Sequence, residues 1–424
     1  MSLIPIITTK EMHGLNYIIR KWIYHTLDRE ESPIRQGFNS LKTQYKELQS
    51  ELFSLADWQH KELQSELSSL TNRICNETAN PNSLLHKNHF YQLISQEYLH
   101  QYHTKQKTKD YTDHYVSYCY ESPMGVVNIG DYIQTIATEE AIRQCVGNNS
   151  EQVKFETVQR NRLTSHQGGT CVMQGWYEHQ QLTFLPGPDT RPVWVGTHFC
   201  FDARKMIECL YENSSIRFKD IGCRDKSTMA FCQSLGMTAY FSRCLTLTLP
   251  KRNAAETQNA NTTYIVDCPD KIIEYLPTSI KDGAKIISQR NCKFESWMNW
   301  QQSRIAAEQL LVEYRQHARL VVTTALHCAQ PCLAMGIPVV FIHPEYNEED
   351  RFSSMDGILK QYSLNDLKEG KVRFDESAPD IEDLKFALLR NLGLSLKENL
   401  SDEEAQELSE VRSFIEQYNI YKLT

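Results

Sequence analysis

No two of the thirteen cysteines stand in a Cys-x-x-Cys arrangement, and the closest pair, Cys328 and Cys332, lies in an apolar stretch. Neither a disulfide framework nor a zinc site is expected, so no metal is assigned and a reducing cytoplasm is the default compartment. Long hydrophobic runs are lacking too. The longest uncharged stretch, Leu320 to His343, is broken by Gln330, Pro331, Gly336 and Pro338, and the opening MSLIPIITTKEMHG is too short in apolar residues for a signal peptide. Sequons such as Asn76-Glu77-Thr78 and Asn261-Thr262-Thr263 then carry no message, because a cytoplasmic chain does not meet the glycosylation machinery. Positive charge is not in excess either: 45 basic side chains face 53 acidic ones, and residues 345 to 424 alone hold 19 acids against 10 bases. That balance argues against a nucleic-acid partner, which would want a basic face. Seventeen glycines and fourteen prolines are too few for a collagen or a low-complexity polymer, and 424 residues suggest about two to three domains.

What is present begins with a repeat. KELQSELFSL at Lys46 to Leu55 returns as KELQSELSSL at Lys61 to Leu70. Leu41, Tyr45, Leu48, Leu52 and Leu55 alternate spacings of four and three, and Leu63, Leu67 and Leu70 continue the pattern, which is a coiled-coil seam. The offset of fifteen is one more than two heptads, so the second seam is rotated or the helix bends near Asp57 to His60. Assembly of a homo-oligomer through residues 40–70 and packing of an amphipathic pair on its own domain are equally open readings. Upstream, Leu15, Ile18, Ile19, Trp22 and Ile23 form one apolar face beside Arg20, Lys21 and His25. A buried helix is favoured over peripheral contact with the inner face of the plasma membrane, since the cations are few. Histidines are frequent between residues 86 and 115, but their spacing never repeats as a ligand pair, and Lys105 to Asp110 reads as a solvated linker.

From about residue 113 short β-rich runs alternate with helical stretches, pause at the polar Pro250 to Thr263, and resume to PVVFI at Pro338 to Ile342. Two α/β units with parallel sheets are the expected product, with a ligand cleft at the carboxyl ends of the strands. The domains expected are 1–110, helical with the coiled-coil repeat; 111–255, a first Rossmann-like domain; 256–345, a second; and 346–424, acidic helices packing back across both.

Three strand-to-helix junctions stand out. In Asn128-Ile129-Gly130-Asp131-Tyr132-Ile133-Gln134, a helix from Asp131 puts Asp131, Gln134 and Thr135 on one face while Ile133, Ile136, Ala137 and Ala141 pack inward. Asp131 is then an N-cap or a cleft residue. In Ile221-Gly222-Cys223-Arg224-Asp225, Asp225 caps a helix ending at Gly236 and leaves Arg224 at a strand's carboxyl end, where it is either an anion ligand or one arm of a structural ion pair. In Val321 to Pro331, Pro331 suits a first helical turn, so the helix is expected to start near Ala329 with Thr323 to His327 in the loop before it. His327 then sits on the rim of the second sheet, as a structural residue or as a catalyst.

Taken in order, NIGDYIQTIA, IGCRDKSTMAFCQSLGM with FSRCLTLTLP, and ARLVVTTALHCAQPCLAMGIPVVFI resemble the polysaccharide pyruvyl transferase family over about residues 113 to 360. Gly175-Trp176, Gly196-Thr197-His198, Tyr264 to Asp267 and Asp350-Arg351-Phe352 support the resemblance. It implies a GT-B-like fold, two Rossmann-like domains facing a cleft, and a transferase of surface polysaccharide synthesis that moves a pyruvyl group from phosphoenolpyruvate to a sugar as a ketal. No cofactor beyond this donor is implied. The acceptor would be a sugar or oligosaccharide, lipid-linked ones included. By match to the family's motifs, His327 and Asp131 would be catalytic; Arg224, His327, Thr324 and Arg243 would bind donor; Asn128, Gln134, His198 and Arg351 would face the acceptor. The chain departs from the family where Arg-Leu-His is common: it has Ala325-Leu326-His327, and Arg243 is the candidate to replace the missing cation. The competing functions are a glycosyltransferase using a nucleotide sugar and a glycan-binding scaffold of weakened activity.

Overall fold

The structure, a computed structural model, describes residues 114–120, 126–146, 153–177, 182–290, 292–293, 299–344, 351–375 and 377–422, with isolated helical positions between 91 and 102. The repeat at 40–70 and the apolar face at 15–25 lie outside the described residues. Lys87 to Thr424 form one compact unit, and this unit is the subject below.

The chain folds as α/β with parallel sheets. The first is built from β1 (Tyr115–Cys119), β3 (Phe155–Gln159), β4 (Thr170–Val172), β5 (Gly175–Tyr177), β6 (Arg191–Val193), β7 (Thr197–Phe199), β8 (Ile221–Cys223) and β9 (Ala239–Phe241). β3-β1-β4-β6 and β5-β7-β8-β9 are its two ladders, all parallel. They are nearly continuous, because β4 and β5 form one line interrupted at Met173 and Gln174, and the Met173 N–H still reaches Val193 O at 2.8 Å. The second sheet has the order β11 (Lys285–Ile287), β10 (Thr262–Val266), β13 (Ala318–Thr323), β14 (Val339–Ile342), β15 (Gln361–Tyr362), again parallel throughout. Its central strands read TTYIV and ARLVVT and are buried almost end to end, as β-branched runs covered on both faces should be. A short antiparallel pair, β2 (Val126–Val127) with β12 (Cys292–Lys293), joins the segment before the first long helix to the segment after β11.

That helix, α1 (Ile129–Val146), is buried over most of its length, with Tyr132, Ile133, Ala137, Ala141 and Ile142 in the core. One buried carboxylate fastens it on two sides. Glu139 accepts from Ser117 Oγ on β1 at 2.5 Å and takes a two-pronged contact from Arg304, Nη1 to Oε1 at 2.7 Å and Nη2 to Oε2 at 2.8 Å. Arg304 belongs to the long helix that feeds β13, Asn299–His317, so Glu139 links the first sheet to the second. Burial would raise the Glu139 carboxyl, but Arg304, Ser117 and Arg143 outweigh it and hold the group below its ordinary value.

The two last long helices, Glu382–Ser395 and Asp402–Gln417, and the turn between them are pinned to the first sheet and to the helix Leu326–Ala334 that follows β13. Arg191 of β6 donates to Leu396 O and Lys397 O at 2.8 and 2.9 Å, Arg412 lies 3.7 Å over the Tyr240 ring, and Lys385 Nζ donates to Ala334 O at 3.0 Å. No helix among the described residues is long and apolar enough to cross a membrane.

Candidate active site

The chemistry gathers where three helices begin. α1 starts at Ile129, two residues earlier than the sequence pattern suggests, because Asn128 rather than Asp131 performs the capping: its Oδ1 accepts the Gly130 N–H at 3.0 Å. Asp131 is released to the first turn, where its Oδ1 accepts from Gln134 Nε2 at 3.1 Å. Gly130 is required by closeness, since a Cβ there would meet Asn128 Oδ1 at 2.9 Å and His327 Cβ at 3.2 Å.

The second junction folds as its residues suggest. Asp225 is the N-cap of the helix Lys226–Ser234, accepting from Thr228 N at 2.9 Å, and the chain leaves that helix at Gly236 with φ +73°. The other Asp225 oxygen lies 2.6 Å from His198 Nδ1, with both side chains fully buried. Burial opposes ionisation of Asp225, yet His198 and Arg224 hold its carboxyl below the ordinary value. Asp225 therefore orients His198 from one side and balances Arg224 from the other.

The third helix starts at Leu326, with Ala325 as its N-cap, and not near Ala329. Pro331 falls inside it, past the first turn, so the helix forgoes one backbone bond there. His327 is consequently a helical residue of the first turn, and the loop before it is short: Thr323 Oγ1 accepts the Ala325 N–H at 2.9 Å, and Thr324 Oγ1 donates to Asp267 O at 2.7 Å.

At the centre lies Arg224, 1% exposed. Its Nη1 donates toward Gln134 Oε1 at 3.4 Å and lies 3.3 Å from His327 Nε2. The chain Asp131–Gln134–Arg224–His327 thus joins residues from α1, the end of β8 and the helix after β13. Arg224 Nε has no hydrogen-bond acceptor among the described residues; the nearest carboxylate oxygen, Asp225 Oδ2, is 4.0 Å away. Burial drives the His327 imidazole well below its ordinary value, and Arg224, Arg351, Arg290 and His198 push the same way. At neutral pH His327 is uncharged.

Two of these cations flank the group. Arg351 lies over the rings of Trp176 and Phe352, at 5.0 and 4.9 Å, and Trp176 meets His198 edge-on at 5.9 Å. Arg290 reaches in from the segment after β11, its Nη2 donating to Thr324 O at 3.4 Å and its Nε 3.9 Å from Asp267 Oδ2. Sequence patterning misses Arg290, because it sits in no periodic element and beside no recognisable turn signal.

Arg243 does not join the group. Its backbone is left-handed, with φ 56°, and its guanidinium is spent on main-chain carbonyls: Nη1 donates to Ser354 O and Asp356 O at 2.9 Å each, Nη2 to Tyr418 O at 3.1 Å and Nε to Ile415 O at 3.2 Å. Burial lowers this guanidinium to about 10, against the opposing pull of Asp356 and Tyr418, and it stays charged at neutral pH. Arg243 is therefore a clamp on the carboxy-terminal segment, while Arg290 is a cation that reaches the Thr324 carbonyl.

A buried guanidinium and a neutral imidazole therefore stand together at strand ends of an α/β fold, the place where such folds bind ligands. The sequence model of the polysaccharide pyruvyl transferase family matches residues 128–345, just over half of the chain, and the chain belongs to that family of transferases. No curated protein matches the chain. Among solved structures it is similar to a functionally uncharacterised protein from Klebsiella pneumoniae, at 12% identity and a TM-score of 0.33, over 62% of this chain and 91% of that one.

Proposed function

We propose that the enzyme transfers the pyruvyl group of phosphoenolpyruvate to two hydroxyls of a sugar, forming a ketal in surface polysaccharide synthesis, in a cleft between two Rossmann-like halves. The observation that carries this reading is the pairing of Arg224 with a neutral His327, with Arg290 beside the turn that precedes it. The donor brings a phosphate and a carboxylate close together, and a site with more than one fixed cation suits two anionic groups better than one. Ala325 removes the family's arginine, and Arg290 supplies a cation beside the same turn.

In the balanced reaction, the donor's methylene carbon gains a proton and becomes the methyl group, two C–O bonds form from the acceptor hydroxyls, and the C–O bond to phosphate breaks. One hydroxyl proton replaces the proton delivered to carbon, and the other leaves with phosphate. His327 is uncharged before donor binds, so it carries no surplus proton to give. The donor's own negative charge would favour the imidazolium, converting His327 into an acid only when the substrate is in place. Asp131, held by Gln134, takes the part of base toward the acceptor, and the acceptor-side roles go to His198, which Asp225 orients, and to Arg351, which lies over Trp176.

The test is calorimetric titration of the full chain with phosphoenolpyruvate and a panel of nucleotide sugars, followed by phosphate release with an acceptor glycan. Arg224→Ala and Arg290→Ala should each weaken phosphoenolpyruvate binding roughly tenfold to a hundredfold, the loss expected for one charge-assisted contact. Binding of a nucleotide sugar but not of phosphoenolpyruvate would overturn the donor assignment, and binding of neither would favour a scaffold.

A further inference from the structure

At the amino-terminal end of β1, away from the helix starts that carry Asp131 and His327, three potential ligand atoms converge. His114 precedes β1, Glu156 lies on the edge strand β3, and His166 follows the short 3-10 turn Arg160–Ser165; one donor atom from each falls within 4.8 Å of the other two. His114 Nε2 stands 3.1 Å from Glu156 Oε2, and His166 Nδ1 stands 4.0 Å from Glu156 Oε1. The two imidazoles meet edge to face at 5.9 Å. We propose that His114, Glu156 and His166 form a binding site for one divalent transition-metal ion, zinc being the ion its two imidazoles and carboxylate suit best.

The backbone is arranged to bring these side chains together. Parallel pairing sets Tyr115 opposite Phe155 and Val116 opposite Glu156, which leaves His114 at the mouth of the ladder on the same side as the carboxylate. The Thr170 N–H donates to His114 O at 3.0 Å, and the His166 N–H donates to Leu163 O at 3.0 Å, fixing both histidines by their main chain. Gly169 makes the room: its φ is +75°, and a Cβ there would lie 2.6 Å from His114 Nε2, so the ring can occupy its place only against glycine. His114 Nε2 and Glu156 Oε2 are near enough to hydrogen-bond but do not form an aligned bond, the relation expected of two ligands aimed at a shared third atom. Glu156 is 54% exposed while His114 Nε2 is buried, so solvent reaches the site from the carboxylate side, where water can complete a tetrahedral shell. Three ligands from three separate elements leave no repeating spacing in the sequence, which is why the pattern of histidines there gives no sign of it. The ion would tie the edge strand and the turn after it to β1, a structural role independent of the transfer reaction.

The probe is zinc itself, with the full chain stripped by chelator and then dialysed to equilibrium against buffered zinc. Cysteines elsewhere can take up metal, so the readout is a difference: wild type should hold about one equivalent more per chain than His114→Ala or Glu156→Gln. Zinc should also raise the melting temperature of wild type more than that of either variant. Cobalt(II) taken up in that difference should show a d–d spectrum without thiolate charge transfer. Variants that keep the whole of the wild type's zinc, or a wild type that takes up none, would overturn the proposal. Glu156→Gln, at an exposed side chain, keeps the test alive should His114→Ala fold poorly.

Discussion

Arg224 Nη1 lies 3.3 Å from His327 Nε2. A guanidinium nitrogen can only donate, so Nε2 must be the acceptor, and the neutral imidazole carries its proton on Nδ1. Protonating His327 would set a second positive charge against the first in a buried place.

The first prediction follows from that repulsion. By NMR of the imidazole nitrogens in the unliganded enzyme, His327 should remain neutral well below the pH at which an exposed histidine titrates, about 6.5. Addition of phosphoenolpyruvate should move its titration upward. The unfolded chain binds this proton more readily than the folded one, so acidification below about pH 6.5 should drain stability at this position, and no further loss accrues once the pH passes below the depressed folded value. A His327 that titrates like a surface histidine would remove the basis for a substrate-made acid.

Gly130→Ala places a methyl group between Asn128 Oδ1 and His327 Cβ. Turnover should fall by at least about tenfold, corresponding to ~1.4 kcal/mol of transition-state stabilisation, while the melting temperature changes little if the helix start can shift. Steady-state kinetics beside a thermal melt separate the two effects.

Glu139→Gln keeps the shape of the side chain and removes the charge that Arg304 needs. The expected loss is roughly 2 to 4 kcal/mol in urea unfolding, below the top of the range for broken buried pairs because Arg304 is partly exposed. Since the folded Glu139 carboxyl lies below its ordinary value, its stabilisation is present above the unfolded value of about 4.3 and disappears as the pH falls through the folded one. The variant should lack that acid-side slope.

Much of this site is legible in the sequence at the strand ends and little of it elsewhere. Asp225 and Gly236 mark their helix correctly because capping chemistry is local, and Arg224 follows from the strand before it. The starts of the other two helices shift because a neighbour competes: Asn128 takes the cap that Asp131 seemed suited to fill, and Pro331 is tolerated past the first turn. Arg290 and Arg243 exchange importance for a reason no local rule contains. Each is an arginine in an irregular segment, and only the three-dimensional path decides that one meets Thr324 and the other meets carbonyls of residues 354–418.

Arg243→Met is predicted to cost at least about 2 kcal/mol, since buried carbonyls of Ser354, Ile415 and Tyr418 lose their donor. In whatever fraction folds, phosphoenolpyruvate affinity should match the wild type. A tenfold loss of affinity with unchanged stability would return Arg243 to the donor site.

The same clamp bears on how the protein is made. Arg243 is buried with a full charge, and its acceptors extend to Tyr418, so the middle of the chain cannot close around it until residues 175 positions later have emerged from the ribosome. The first sheet can assemble during synthesis, but it must wait with a cation facing an unfinished wall. A translational pause or premature stop ahead of the Asp402–Gln417 helix should therefore yield a chain that chaperones hold and proteases clear, even though every residue of the reaction site has already been synthesised.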